Sequence, residues 1–205
     1  MKIKRSPFIL STLVCLIALL CFSGLMRSQA EADNHEGHDH GQMEETEISE
    51  EVSQLIHDVR EETAVFRDFD GVEDAGYGKF LECFVNNEVG GMGQHYVNGE
   101  LVGDDVLDPM KPEALVYEPT EDGDMILVAF EYLVFADVWD PEDEGREAPE
   151  LFGREFHLKT NIPDTPPVWT LHLWLWTSNP GGVFADFNPL VFCPEGQPIT
   201  DMTPS

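Results

Sequence analysis

From Ser49 to Asp70 apolar side chains recur at intervals of three and four: Val52, Leu55, Ile56, Val59 and Phe66, with Ala64 and Val65 nearby. That period predicts an amphipathic helix with one apolar face. Ser49 is placed to cap it, the acids just inside suit its dipole, and Gly71 ends it. His57 falls at the edge of the stripe and reads as a surface or boundary residue. Beyond Phe80 the pattern changes. KFLECFVN (79–86), EALVYEP (113–119), MILVAFEYLVF (125–135) and VWTLHLWLW (168–176) are apolar runs separated by segments rich in turn residues. These are strands, and TEDGD (120–124) between two of them predicts a β-hairpin. VGGMGQHYVN (89–98) is glycine-rich, then extended; its glycines permit a bend or bulge, and His95 is expected at a strand start on the face of Val97. REFHLKT (154–160) reads as a short edge strand and residues 137–149 as an exposed acidic loop. The fold class is mainly β (α+β): one N-terminal amphipathic helix packed on an antiparallel β-barrel or sandwich, forming a single domain over 49–205.

In WTLHLWLW the alternation divides two kinds of face. Thr170, His172, Trp174 and Trp176 share one, and Trp169, Leu171, Leu173 and Leu175 share the other. Both are apolar enough to need cover. The odd face is expected to meet the core, and the even face to lie under the N-terminal helix.

The first thirty residues change the compartment. MKIKRS is basic, residues 7–26 form an apolar run, and Ser28-Gln29-Ala30 offers small residues at a cleavage site. Together they read as a secretory signal peptide, with a retained membrane anchor as the alternative. No second apolar span follows, so the remainder is expected to be soluble, secreted or periplasmic, and off the membrane once the signal is cleaved. Residues 31–48 contain few apolar side chains and are expected to be a disordered acidic tail. His35, His38 and His40 in that tail could capture Zn²⁺, Cu²⁺ or Ni²⁺ weakly; the alternative is a solvated leader without a ligand.

The leader holds four of the 11 basic residues and none of the 40 acidic ones, so its removal takes the net charge from −29 to −33. That balance excludes nucleic acid as a general partner, because phosphate binding needs clustered cations. Cys15 and Cys21 leave with the signal. Cys83 and Cys193 remain, an even pair in an oxidising compartment, and a disulfide is the default reading; two buried free thiols are the alternative.

The candidate chemistry lies on the strands. His95 and His172, with Glu118 at the end of LVYE or Glu131 inside AFEYL, could form a metal site with an open position. A carboxylate within an apolar strand is costly unless paired, and Glu131 sits mid-strand. The alternative is a polar pair that fixes strand register and takes no ligand. No G-x-S-x-G elbow is present, and the glycines of 90–93 do not precede a helix, so neither a serine nucleophile nor a phosphate cradle is indicated.

DAGYGKFLEC, GGMGQHYVN, LDPMKPEALVYEP, FEYLVF, LFGREF, LHLWLW and NPGGVFADFNPLVFC span residues 74–193. In these motifs the chain resembles a family of exported bacterial proteins of uncharacterised activity. The resemblance implies an exported β-rich domain with paired cysteines and no particular reaction. Phe187 departs from it, standing where tryptophan is expected before Asn-Pro. Three readings of function follow. The first is an exported domain that binds a small ligand, a divalent metal or a partner without catalysis. The second is a metal-dependent enzyme built on the two histidines and a glutamate. The third is a structural, homo-oligomer-forming envelope protein.

Overall fold

The structure is a computed structural model that describes residues 48–202. The segments read as a signal peptide and a histidine tail lie outside the described residues, apart from Ile48. Helix α1 (Glu50–Glu62) begins where predicted: Ser49 is its N-cap and its hydroxyl accepts from the Val52 amide. The helix stops as an α-helix at Glu62 and continues as a 3₁₀ segment, Thr63–Arg67, where the Thr63 hydroxyl donates to the Val59 carbonyl. The helical pattern read across residues 49–70 thus covers a change of helix type, which apolar spacing alone does not reveal.

Nine strands follow: β1 (Gly78–Asn86), β2 (Gly90–Val97), β3 (Ala114–Pro119), β4 (Met125–Phe135), β5 (Glu150–Leu151), β6 (Arg154–Glu155), β7 (His157–Lys159), β8 (Val168–Leu173) and β9 (Ile199–Asp201). Seven of them form one sheet in the order β7-β8-β4-β3-β2-β1-β9, and β5 pairs with β6 alone. The sheet curls into a half-barrel with the helix packed on it. The hairpin across TEDGD is present, as is the edge strand in REFHLKT, which is β7. One pairing departs from the antiparallel expectation: β9 runs parallel to β1.

His95 does not start its strand. β2 begins five residues earlier, at Gly90, because the glycine run is part of the ladder. Gly93 adopts φ +103°, and a Cβ there would lie 2.6 Å from the Tyr117 carbonyl oxygen, so β2 and β3 approach to a distance that only glycine permits. The β1–β2 register slips between Phe80 and Phe84, beside this same point, in keeping with the predicted bulge.

Both faces of β8 are covered, and the odd face meets the core as predicted, but the helix lies on that face and not on the even one. Leu171 and Leu173 join Val59, Tyr117, Phe130 and Tyr132 in the main core, with Val52, Leu55 and Ile56 of α1 packed against it. The helix therefore covers the odd face. The core there is made of tyrosines whose hydroxyls reach backbone: Tyr77 donates to Pro112, Tyr117 to Phe66 and Tyr132 to Pro109. Each phenol thus packs as a ring and is satisfied as a donor. The even face is left for other groups. Alternation also fails beyond Leu173, where the ladder ends: Trp174 packs with Val116, Val128 and Val191, whereas Trp176 turns towards the main core. Cys83 and Cys193 form the disulfide, with Cα atoms 5.9 Å apart. Cys193 lies in irregular chain rather than in the last strand.

Candidate metal centre

The even face of β8 carries the buried polar groups. Residues paired directly across a ladder share a face of the sheet. His172 pairs with Glu131 across β8 and β4. Glu131 in turn pairs with Ala114 on β3, and His95 on β2 pairs with Val116. Between His95 and Glu131 the sheet therefore presents only Ala114 and Val116, whose side chains are short enough for the longer groups to meet above them. His95 Nε2 lies 3.2 Å from Glu131 Oε2 and donates to it. His172 Nδ1 lies 3.5 Å from the other carboxylate oxygen. His95 is 3%, Glu131 7% and His172 0% exposed.

One donor atom from each of His95, Glu131 and His172 falls within 4.8 Å of the other two. Tetrahedral zinc with bonds of about 2.1 Å sets its ligand atoms about 3.4 Å apart. The two observed separations of 3.2 and 3.5 Å are already close to that edge length. The His172–Glu131 approach lacks hydrogen-bond geometry, so both ring nitrogens of the fully buried His172 are without a hydrogen-bond partner, as is Nδ1 of His95. A buried unsatisfied nitrogen costs roughly 1–3 kcal/mol, and one ring bears two here. A metal ion would take the lone pair of one of them.

The rings are fixed by packing. Phe84 meets His95 edge-on at 4.6 Å between centroids, His95 meets His172 edge-on at 5.9 Å, and His172 stacks parallel to Trp174 at 6.0 Å. Trp174 is itself anchored, its Nε1 donating to the Ala185 carbonyl at 2.6 Å. Burial pushes the His172 imidazolium below its usual pKa, although the carboxylates of Glu131 and Asp186 oppose the shift. Burial alone would raise the Glu131 carboxyl, but the facing imidazoles of His172 and His95 outweigh it and hold the group low. Burial thus favours the neutral His172 ring, the form that ligates a metal.

Two supporting residues were not foreseen from the sequence. Asp186 Oδ1 lies 3.9 Å from His172 Nδ1 and 3.5 Å from His157 Nδ1, and Oδ2 lies 2.5 Å from Lys159 Nζ. Asp186 is one acid among 40 and sits in irregular chain after the last long strand, so no pattern marks it. Lys159 and His157 carry a weak signal: they alternate along β7 and pair with Val168 and Thr170, on the face of His172. Burial opposes ionisation of Asp186 too, but His172 and the Lys159 ammonium prevail and keep it a carboxylate.

Glu118 does not join the group. It lies opposite Ile126 near the hairpin, whereas the level of Glu131 is that of Ala114. Four residues of strand separate them, roughly 13 Å. Its carboxylate instead accepts the Phe192 amide at 3.0 Å, holding the segment that leads to Cys193. Another acid that the sequence reading passed over, Glu113, is buried just before β3 and accepts the Leu133 amide at 3.0 Å. His57 is exposed on α1, as read. The tail histidines 35, 38 and 40 lie outside the described residues.

A cavity of about 70 Å³ adjoins the triad. Its walls are mostly apolar, including Phe84, Met92, Leu133, Phe135, Ile162 and Met202, and its polar lining residues are His95, Glu131, Lys159 and Thr165. Among the described residues no helix is long and apolar enough to cross a membrane. No protein-family model, curated protein or solved structure matches the chain.

Proposed function

We propose that this protein is an exported binding domain that holds one divalent transition-metal ion between His95, Glu131 and His172. The observation that carries the reading is the convergence of three buried donors from three strands while both nitrogens of His172 lack a hydrogen-bond partner. Two imidazoles and one carboxylate suit zinc, iron, copper or nickel better than magnesium or calcium, which favour all-oxygen shells. Asp186, paired with Lys159, adds a carboxylate 3.9 Å from His172 Nδ1 at the margin of the site. The apolar leader and the Cys83–Cys193 bridge support the exported assignment.

Metal analysis tests this. The full chain carrying His35→Ala, His38→Ala and His40→Ala removes the competing tail. After loading with zinc and exhaustive dialysis it should retain one ion per chain, and the further substitution His172→Gln should abolish retention with the circular dichroism spectrum unchanged. A parent chain that keeps no zinc, cobalt or copper would remove the proposal.

A second reading, a metal-dependent enzyme, draws on the cavity beside His95 and Glu131. In that reading His95, Glu131 and His172 would hold the ion, which would supply Lewis-acid activation of a water or substrate oxygen.

A further inference from the structure

The metal site has an asymmetric setting. His172 is sealed between Glu131 and Trp174, whereas His95 and Glu131 reach the wall of the cavity. Any position that three protein ligands leave open on the ion therefore has the cavity as its room. The charges around it can be summed. Lys159 and Asp186 neutralise one another at 2.5 Å. A divalent ion held by the Glu131 carboxylate and two neutral imidazoles keeps one positive charge. An uncompensated charge against apolar walls is unfavourable, and one monoanion removes it.

Size narrows the class further. An apolar cavity of about 150 Å³ takes benzene, with its six heavy atoms, and a water takes about 30 Å³ of liquid. A space of about 70 Å³ therefore admits a ligand of roughly three heavy atoms. We infer that the cavity binds a small monoanion, linear or planar and of about three heavy atoms, which coordinates the metal through one end and packs against Phe84, Leu133 and Ile162 with the rest. This rests on the metal reading above. It adds what the open position takes and why larger ligands are refused.

Azide is a suitable probe, and cobalt(II) makes its binding visible. The full chain lacking the three tail histidines is loaded with cobalt and titrated with azide, then with benzoate, while the visible absorption is followed. Azide should shift the spectrum saturably and benzoate should not. Ile162→Trp, in a loop at the cavity wall, and Leu133→Phe, on β4, should each weaken azide by about tenfold or more, equivalent to about 1.4 kcal/mol, with cobalt stoichiometry unchanged. Using both variants covers the case in which one does not fold. Failure to hold cobalt would sink the metal reading and this inference with it. Cobalt that is held but indifferent to azide overturns this inference alone. So does azide affinity that neither cavity variant alters, or benzoate binding as tight as azide.

Discussion

Replacing Glu131 by glutamine removes a charge and little else, and the two readings of the triad diverge sharply on its effect. In the metal-free protein the carboxylate takes a hydrogen bond from His95 at 3.2 Å and faces His172 at 3.5 Å. A hydrogen bond to a charged group contributes about 1.5–3 kcal/mol and a neutral one about 0.5–1.5 kcal/mol, so the exchange costs about 1–1.5 kcal/mol. Against this, the carboxylate at 7% exposure carries a desolvation penalty of several kcal/mol that the amide lacks. The penalty relieved is at least as large as the hydrogen-bond strength lost. The metal-free variant should therefore unfold no more than about 4 °C below the parent, a margin of about 1 kcal/mol in a domain of this size. Metal separates them. At a free zinc concentration of about 100 Kd the parent gains about 2.7 kcal/mol, or about 5–11 °C. Loss of the only charged ligand should weaken zinc by about a hundredfold, leaving about 0.4 kcal/mol and a shift of about 1 °C at the same zinc concentration. Thermal unfolding with and without zinc, in the tail-substituted chain, measures both numbers. The reasoning fails if Glu131→Gln loses about 3–5 kcal/mol without metal while zinc leaves the parent unmoved, the signature of a broken structural pair.

Burial pushes Glu113 up to about 8, against an ordinary value of 4.5, although the Leu133 amide lowers it. Its folded pKa is above the unfolded one, so its stabilising contribution is complete below pH 4.5 and is lost as pH rises through 8. Glu113→Gln should therefore flatten the fall in stability between pH 5 and 8, as followed by urea unfolding; an unchanged slope would contradict it. The Cys83–Cys193 bridge closes 110 residues, and reduction should cost about 3–5 kcal/mol, near the chain-entropy value of about 4.8 kcal/mol. Denaturant midpoints that coincide for the oxidised and reduced forms would show that the bridge contributes no stability. Gly93→Ala forces a Cβ to within 2.6 Å of the Tyr117 oxygen at φ +103°, and should cost about 2–4 kcal/mol. Because His95 lies two residues along the same strand, zinc retention should weaken with it.

The strands, the TEDGD hairpin and the covered state of WTLHLWLW were legible because they are local: alternation and turn residues act within a few positions. Glu131 was legible for a similar reason, since a carboxylate in the middle of MILVAFEYLVF has no solvent to face. What pairs with it is another matter. Glu118 and Glu131 have comparable sequence contexts, and only the β3–β4 register puts one beside the histidines and the other at the hairpin end. Asp186 is reached through irregular chain, where no period fixes the direction of a side chain. The helix covers the face of Leu171 and Leu173, not that of His172, because the tyrosine-rich core on that side presents the larger apolar surface. The close approach at Gly93 and the slipped β1–β2 register emerge only when two strands are set side by side.

The LDPMKPEALVYEP motif now has a structural account. Pro109 and Pro112 offer carbonyls to Tyr132 and Tyr77, Glu113 takes the Leu133 amide, and Tyr117 donates to Phe66. Its work is to fasten β3 and the loop before it to the core. HYVN and LHLW instead carry the candidate ligands His95 and His172, and FADFN carries Asp186 beside them. The motifs thus divide into a frame and a site, and the site needs both β2 and β8 held at fixed distances from β4.

X-ray absorption at the zinc edge of the tail-substituted, zinc-loaded chain is the most direct test of that site. A first shell of two imidazole nitrogens and a carboxylate oxygen at about 2.0–2.2 Å is expected, with outer-shell imidazole scattering that is halved or lost with the ion in His172→Gln. A shell of water oxygens without imidazole scattering, or one identical in parent and variant, would contradict it.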